Sequence, residues 1–386
     1  MFSKKIIISC FNLKKKNSKK IKKLFSEILQ KKEIDFRVID TFSKRYQYSY
    51  KKKEIAKFKK YKSLSIFGLG GSSLCIKAIY DFLRFKIKKK AYFYDNLDVS
   101  VPKIIRNKNL DIIISKSGTT LETIVNQNIF SNSQKLFITE NKKSYLMDLA
   151  LKLKSEIIEH RNFVGGRYSV LSEVGMLPAE LLGLKSEKFK KFDNLIKDKN
   201  FTKTLINNVD MMYKFHLSGK TNSVILNFDK SLISLIEWYQ QLLSESLGKK
   251  GKGFFPIISN LPKDNHSLMQ LYLDGNKNNF FTIFDVIDQK GPKIKNRNLL
   301  SGYNFLKNKS VKSVMIAQKD AVKRVFKKQG LKLRNFEILS KDEESLGIIF
   351  TYFMLETILL GKLMKLNPFN QPAVESIKKE TKRILS

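Results

Sequence analysis

Short apolar runs alternate with amphipathic stretches along most of this chain. Residues 6–11 form an apolar run too short for a signal-peptide core, with no small-residue cleavage site after it, and they read as a first buried strand. Residues 63–67 and 110–114 read as strands. Each runs through a polar turn into a helical pattern, at 74–85 and 121–130 respectively. A lysine-rich stretch with few apolar anchors, 185–203, reads as a connection between domains. Beyond it the alternation resumes: strand 223–228, helices 231–247 and 267–273, strand 280–286, helix 317–329 and strand 335–339. An apolar helix at 344–366 stops at Asn367-Pro368, and a short helix closes the chain. Strands alternating with helices predict an α/β fold, its parallel sheets covered by helices on both faces.

The domain organisation that follows has four parts. A lysine-rich segment, 1–60, is expected to pack on a first domain at 61–190; a second domain spans 205–345, and a C-terminal helical segment spans 346–386. The longest apolar stretch, 347–366, carries Glu356 at its middle and Lys362 and Lys365 near its end. Those charges would be costly in a bilayer, so the stretch predicts a core helix and no membrane association.

The two cysteines, Cys10 and Cys75, suggest neither a disulfide framework nor a zinc site, which fits a reducing, cytoplasmic setting. No clustered histidine, cysteine or carboxylate spacing argues for a metal, and no cofactor is expected. Lys and Arg number 74 against 35 Asp and Glu, a formal charge of +39. The lysines are scattered as pairs and triplets, without a helix-turn-helix, zinc-finger or aromatic RNA-binding signature, so no specific nucleic-acid partner is implied. Such a field would raise the encounter rate with a phosphorylated small molecule.

The two polar turns carry the first chemical signal. Gly68-Leu-Gly-Gly-Ser-Ser73 and Ser115-Lys-Ser-Gly-Thr-Thr120 each lie between a strand and a helix. Unpaired backbone N–H groups at a helix N-terminus suit a phosphate, glycines allow close approach, and serine and threonine hydroxyls add donors. Each turn alone could equally be a tight turn with a hydroxyl cap. In a doubly wound sheet, two such loops at neighbouring strand ends would converge on one crevice. Neither turn offers the Gly-Lys-Ser/Thr of a P-loop, and Ser73 stands where the dinucleotide fingerprint needs glycine.

The same two turns resemble the sugar-phosphate loops of the glucose-6-phosphate isomerase family, and four further motifs continue the resemblance in order. They are Gly165-Gly-Arg-Tyr-Ser-Val-Leu-Ser172, Gln241-Leu-Leu-Ser-Glu-Ser-Leu-Gly-Lys249, His266-Ser-Leu-Met-Gln270 and Asn367-Pro-Phe-Asn-Gln-Pro-Ala-Val-Glu-Ser-Ile-Lys378. The resemblance covers most of the chain after about residue 63; the N-terminal sixty residues match no named motif, and Ala373 stands where the family usually has glycine. It implies two sugar-isomerase domains, each a doubly wound parallel sheet, and a reversible conversion of glucose 6-phosphate into fructose 6-phosphate through an enediolate.

Carried over residue by residue, the resemblance implies that Ser72, Ser115, Lys116, Ser117 and Thr120 bind the phosphate, with Gly71, Gly166 and Gln241 lining the substrate pocket. Glu245 would move the proton between C2 and C1, and Arg167 would stabilise the enediolate. His266 would open the sugar ring, and Lys378, with Gln371, would assist and hold substrate hydroxyls. The family resemblance also implies a homodimer in which His266 is contributed across the interface. Two alternatives stay open at this level: an isomerase that also accepts mannose 6-phosphate, and a non-catalytic sugar-phosphate sensor on the same domains.

Overall fold

In the computed structural model, which describes residues 5–11, 18–30, 34–100, 108–288 and 291–386, ten strands form two five-stranded sheets. The strands are β1 (Ile6–Phe11), β2 (Ser63–Phe67), β3 (Lys90–Tyr94), β4 (Asn109–Ile114), β5 (Gln134–Thr139), β6 (Glu156–Glu159), β7 (Asn222–Asn227), β8 (Phe255–Asn260), β9 (Asn279–Val286) and β10 (Leu333–Ile338). The first sheet runs β3-β2-β4-β5-β6, all parallel. The second runs β1-β10-β9-β7-β8, parallel except for β1. Strands β2, β4 and β9 are buried along their whole length, as strands covered on both faces must be.

Set side by side, the two sheets repeat one topology. The four strands β8-β7-β9-β10 follow the order of β3-β2-β4-β5, so each sheet reverses direction beside its first strand, between β2 and β4 in one and between β7 and β9 in the other. In the first sheet that switch point is where the two polar turns emerge. The second sheet carries one extra, antiparallel edge strand, β1, paired from Ile6↔Ile338 to Phe11↔Leu333. The expectation that residues 1–60 pack on the first domain is corrected for their first strand, which belongs to the second sheet. Further along, Tyr46 Oη donates to Glu173 in the first domain and Ser43 Oγ to Asp193 in the connection.

Three helices cross between the sheets and fix their mutual position. The helix Gly71–Leu83 follows β2, the helix Ile233–Leu247 follows β7, and the two pack on each other. The apolar helix Glu343–Leu363 packs against both, and its most hydrophobic window is 94% buried inside the fold, so it is the core helix expected. Its Glu356 explains itself here: Arg334 Nη1 on β10 donates to Oε1 at 2.6 Å, both side chains fully buried. Arg334 Nη2 also donates to Tyr239 Oη at 2.8 Å, which ties the helix Ile233–Leu247 to the second sheet. A buried charge kept this way needs its partner and its hydrogen bonds together.

Candidate active site

The turn after β2 is built for close approach. Gly70 has φ +54°, a region that favours glycine, and an added methyl group there would lie 2.6 Å from Gln241 Nε2. An added methyl at Gly71 would lie 2.1 Å from the Gly166 carbonyl oxygen. Bare glycine thus lets this turn touch both the helix that carries Glu245 and the turn that carries Arg167. Ser72 sits one residue into the helix, largely buried.

The turn after β4 lies beside it. Ile114 O and the Ser72 Cβ flank Gly68 on two sides. Ser115 Oγ and Thr120 Oγ1 are 2.7 Å apart, Ser115 Oγ accepts from Gly118 N at 3.2 Å, and Ser117 Oγ accepts from Thr119 N at 3.2 Å. These hydroxyls gather at the start of the helix Leu121–Phe130, with its unpaired N–H groups. Lys116 Nζ donates to Asn162 O at 2.7 Å and stands 3.5 Å from Glu140. Burial lowers its pKa, with Glu140 opposing and Arg167 adding to the shift. Below it, burial pushes His160 down to about 4, so that imidazole is neutral and adds no charge.

Arg167 lies at the centre. It is fully buried in the short helical turn Gly166–Leu171, and every nitrogen of its guanidinium is engaged. Nε donates to Ser246 Oγ at 2.8 Å, and Nη2 donates to the carbonyls of Pro368 at 2.7 Å and Asn370 at 3.0 Å. Nη1 donates to Glu245 Oε2 at 3.0 Å and to Gln371 Oε1. The second carboxylate oxygen, Oε1 of Glu245, accepts from Gln241 Nε2 at 2.8 Å, one helical turn earlier. Glu245 is thus held at both oxygens while its side chain keeps 28% exposure. That exposed edge opens into a cavity of about 520 Å³, lined also by Lys249, Asn370, Gln371 and Val374.

The structure therefore brings together Gly71, Gly166, Arg167, Gln241, Glu245 and Gln371, with Ser72, Ser115, Lys116, Ser117 and Thr120 on the adjoining turns. It does not bring His266 or Lys378 to Glu245 within one chain. His266 is exposed after β8, at the end of the turn Lys263–Asn265, and is not among the residues lining the cavity. Lys378 is exposed on the helix Val374–Leu385 and paired with Glu375 at 2.7 Å. It shares a helical face with Val374, four residues earlier, which lines the cavity. Two residues carry no sequence signal of their own: Ser246, inside the motif 241–249, and Asn162, three residues before Gly165, which orient Arg167 and Lys116.

Residues 39–291 match the sequence profile of the phosphoglucose isomerase family; the match begins inside the N-terminal segment, where no motif resemblance was visible. The chain is similar to the glucose-6-phosphate isomerase of Methanocaldococcus jannaschii, 32% identical over 358 residues that cover 84% of this chain and 86% of the relative. That of Mycoplasmopsis pulmonis is 32% identical over 361 residues, covering 83% and 82%. Among solved structures, a hypothetical protein from Thermus thermophilus superposes with a TM-score of 0.81 at 20% identity, over 95% of this chain and 94% of that one. A glucose-6-phosphate isomerase from Chlamydia trachomatis gives 0.73 at 17% identity, over 95% and 84%. These two structural likenesses are likenesses of fold.

Proposed function

The chain belongs to the phosphoglucose isomerase family, enzymes of aldose–ketose isomerisation, and from that premise we propose that it interconverts glucose 6-phosphate and fructose 6-phosphate, with Glu245 as the base. The observation that carries this reading is the Glu245 carboxylate, clamped by Gln241 and Arg167, with the glycine turn after β2 packed on that Gln241 and a cavity of about 520 Å³ on the other edge of the carboxylate. The turns would take the phosphate, with Lys116 supplying a point charge where the serines and threonines supply direction. Glu245 would remove the C2 proton of the open-chain aldose. The electron pair left at C2 would form the C1–C2 double bond as charge moves onto the C1 oxygen; a proton would then pass from the C2 hydroxyl to that oxygen, and Glu245 would return its proton to C1 as the C2 carbonyl forms. Arg167 Nη1, 3.0 Å from the carboxylate, would stabilise the charge that develops on the enediolate oxygens.

Ring opening needs a second proton carrier. His266, exposed and remote from its own Glu245, would serve the site of a second copy in a homodimer, and Lys378 and Gln371 would hold the substrate oxygens. The reaction as written uses no metal and no redox cofactor. In the cell, the step would join glycolysis and gluconeogenesis in the cytoplasm.

A coupled assay with glucose 6-phosphate, fructose 6-phosphate and mannose 6-phosphate side by side tests the substrate. Turnover of the first two alone is expected. Glu245→Gln should abolish turnover, a loss of at least about 10²-fold for a general base, while hexose-phosphate binding by calorimetry persists. Unchanged turnover in that variant would remove Glu245 from the mechanism.

A further inference from the structure

Lys249 follows Glu245 by four residues, in the turn that leaves the helix Ile233–Leu247. Its ammonium joins two elements. It donates to Ser246 O at 2.9 Å, at the end of that helix, and to Asn367 O at 2.5 Å. Asn367 opens the strap 367–371, whose Pro368 and Asn370 carbonyls and Gln371 side chain all accept from Arg167. The strap is therefore gripped from the inside by a guanidinium and from the outside by an ammonium. Lys252 Nζ adds a bond to Met364 O at 3.0 Å, just ahead of the strap. Lys249, Asn367, Asn370 and Gln371 line the same cavity as Glu245.

We propose that Lys249 is a positioning residue of this site: it holds the strap 367–371 closed on Arg167, so that Nη1 keeps its aim at Glu245 and Gln371 keeps its place on the cavity wall. The inference rests on the isomerase reading of the same site. Its physical basis is that one ammonium joins carbonyls of two elements. Ser246 O is one of the last carbonyls of a helix, which have no intrahelical partner, and Asn367 O stands at the start of the strap. An ammonium carries three donors and can serve both carbonyls at once. The negative end of the helix dipole favours a cation at this position.

Burial and the nearby Arg167 charge push Lys249 down to about 8, with Glu245 opposing. The charged groups around it are Arg167 on its turn, Glu245 on its helix and Lys250 on the cavity rim; residues 366–374 of the strap carry none. Since the ammonium is the stronger and fuller donor, the hold is greatest well below the Lys249 pKa of about 8 and weakens as pH rises through it.

Full-length Lys249→Met and Lys249→Arg proteins separate this role from a merely structural one. Lys249→Met should lower kcat by about 10- to 100-fold, the cost of a small misplacement of reacting groups, with KM changing much less. It should also speed hydrogen exchange in the peptide spanning 366–373. Lys249→Arg, which keeps a cation, should restore most of kcat and move the alkaline limb of the pH profile upward. Wild-type exchange rates in Lys249→Met, or the same alkaline midpoint in Lys249→Arg, would overturn the proposal. A wild-type protein inactive on every hexose phosphate would instead sink the isomerase reading, and the exchange experiment would still decide whether Lys249 holds the strap.

Discussion

At the scale of single residues, Arg167 shows what a sequence leaves unsaid. Its position after two glycines reads locally as a surface arginine in a turn. Its burial depends on the strap at 367–371, some two hundred positions away in sequence, which no local pattern connects to it. Only the motif resemblance singled it out. The structure adds why arginine is required: five acceptors on two elements, the helix Ile233–Leu247 and the strap 367–371, surround it, and a planar fork with five donors meets them all. A lysine there reaches two or three of those acceptors and leaves the rest buried without a donor. Arg167→Lys should therefore lower kcat about 10²- to 10³-fold, the scale seen when one donor to a developing oxyanion is lost, and should lower the melting temperature as well. Steady-state kinetics and a thermal melt on the same preparation check both. A variant with lower kcat and an intact melt would mean that the strap tolerates the loss and that Arg167 acts on substrate alone.

At the scale of elements, the central strands and the helices behind the two turns were legible because burial on both faces leaves continuous apolar runs, which end here in glycine or hydroxyl clusters. The strands that escaped are mostly edges. β3 and β6 border the first sheet, and β8 borders the second with Pro256 at its second position, a residue that an edge strand accommodates and that argues against a strand when read alone. β5 is interior, but its first two residues are polar and only its last four are buried, so its apolar run is short. The turn after β2 offers a sharper test, because its glycines differ in what surrounds them. Gly71→Ala drives a methyl group to 2.1 Å from the Gly166 carbonyl, backbone against backbone. It should cost about 1–3 kcal/mol, the usual price of overpacking, and displace Arg167 with it. Gly166→Ala meets nothing within 4 Å and should melt as the wild type does. Equal melting temperatures for the two variants would show that the two turns are not in the contact described.

At the scale of the whole molecule, the chain repeats one sheet topology twice, and the two hydroxyl-lined turns proposed to take the phosphate belong to the first copy. In the second, the loop after β7 closes on itself, with Asp229 accepting from Ser231 N at 2.9 Å, and the helix that follows supplies Glu245 to the first copy's switch point. That division of labour was invisible in the sequence, as was the return of β1 to the second sheet, because an apolar strand does not announce its partner. It also leaves His266, on the second sheet's loop after β8, exposed and outside the cavity that Glu245 lines. A symmetric dimer resolves this if the histidine of one copy reaches the cavity of the other, since a two-fold axis makes the exchange reciprocal. Co-expression of Glu245→Gln with His266→Ala then has a calculable result. Each variant alone is inactive. A mixed dimer rebuilds one intact site, with Glu245 from one chain and His266 from the other, while its second site has neither. With random pairing, half the dimers are mixed and half of their sites work, so activity should return to about a quarter of wild type. No recovery from mixed dimers that can be purified by two different tags would place His266 in the site of its own chain; a His266→Ala variant active by itself would place it in none.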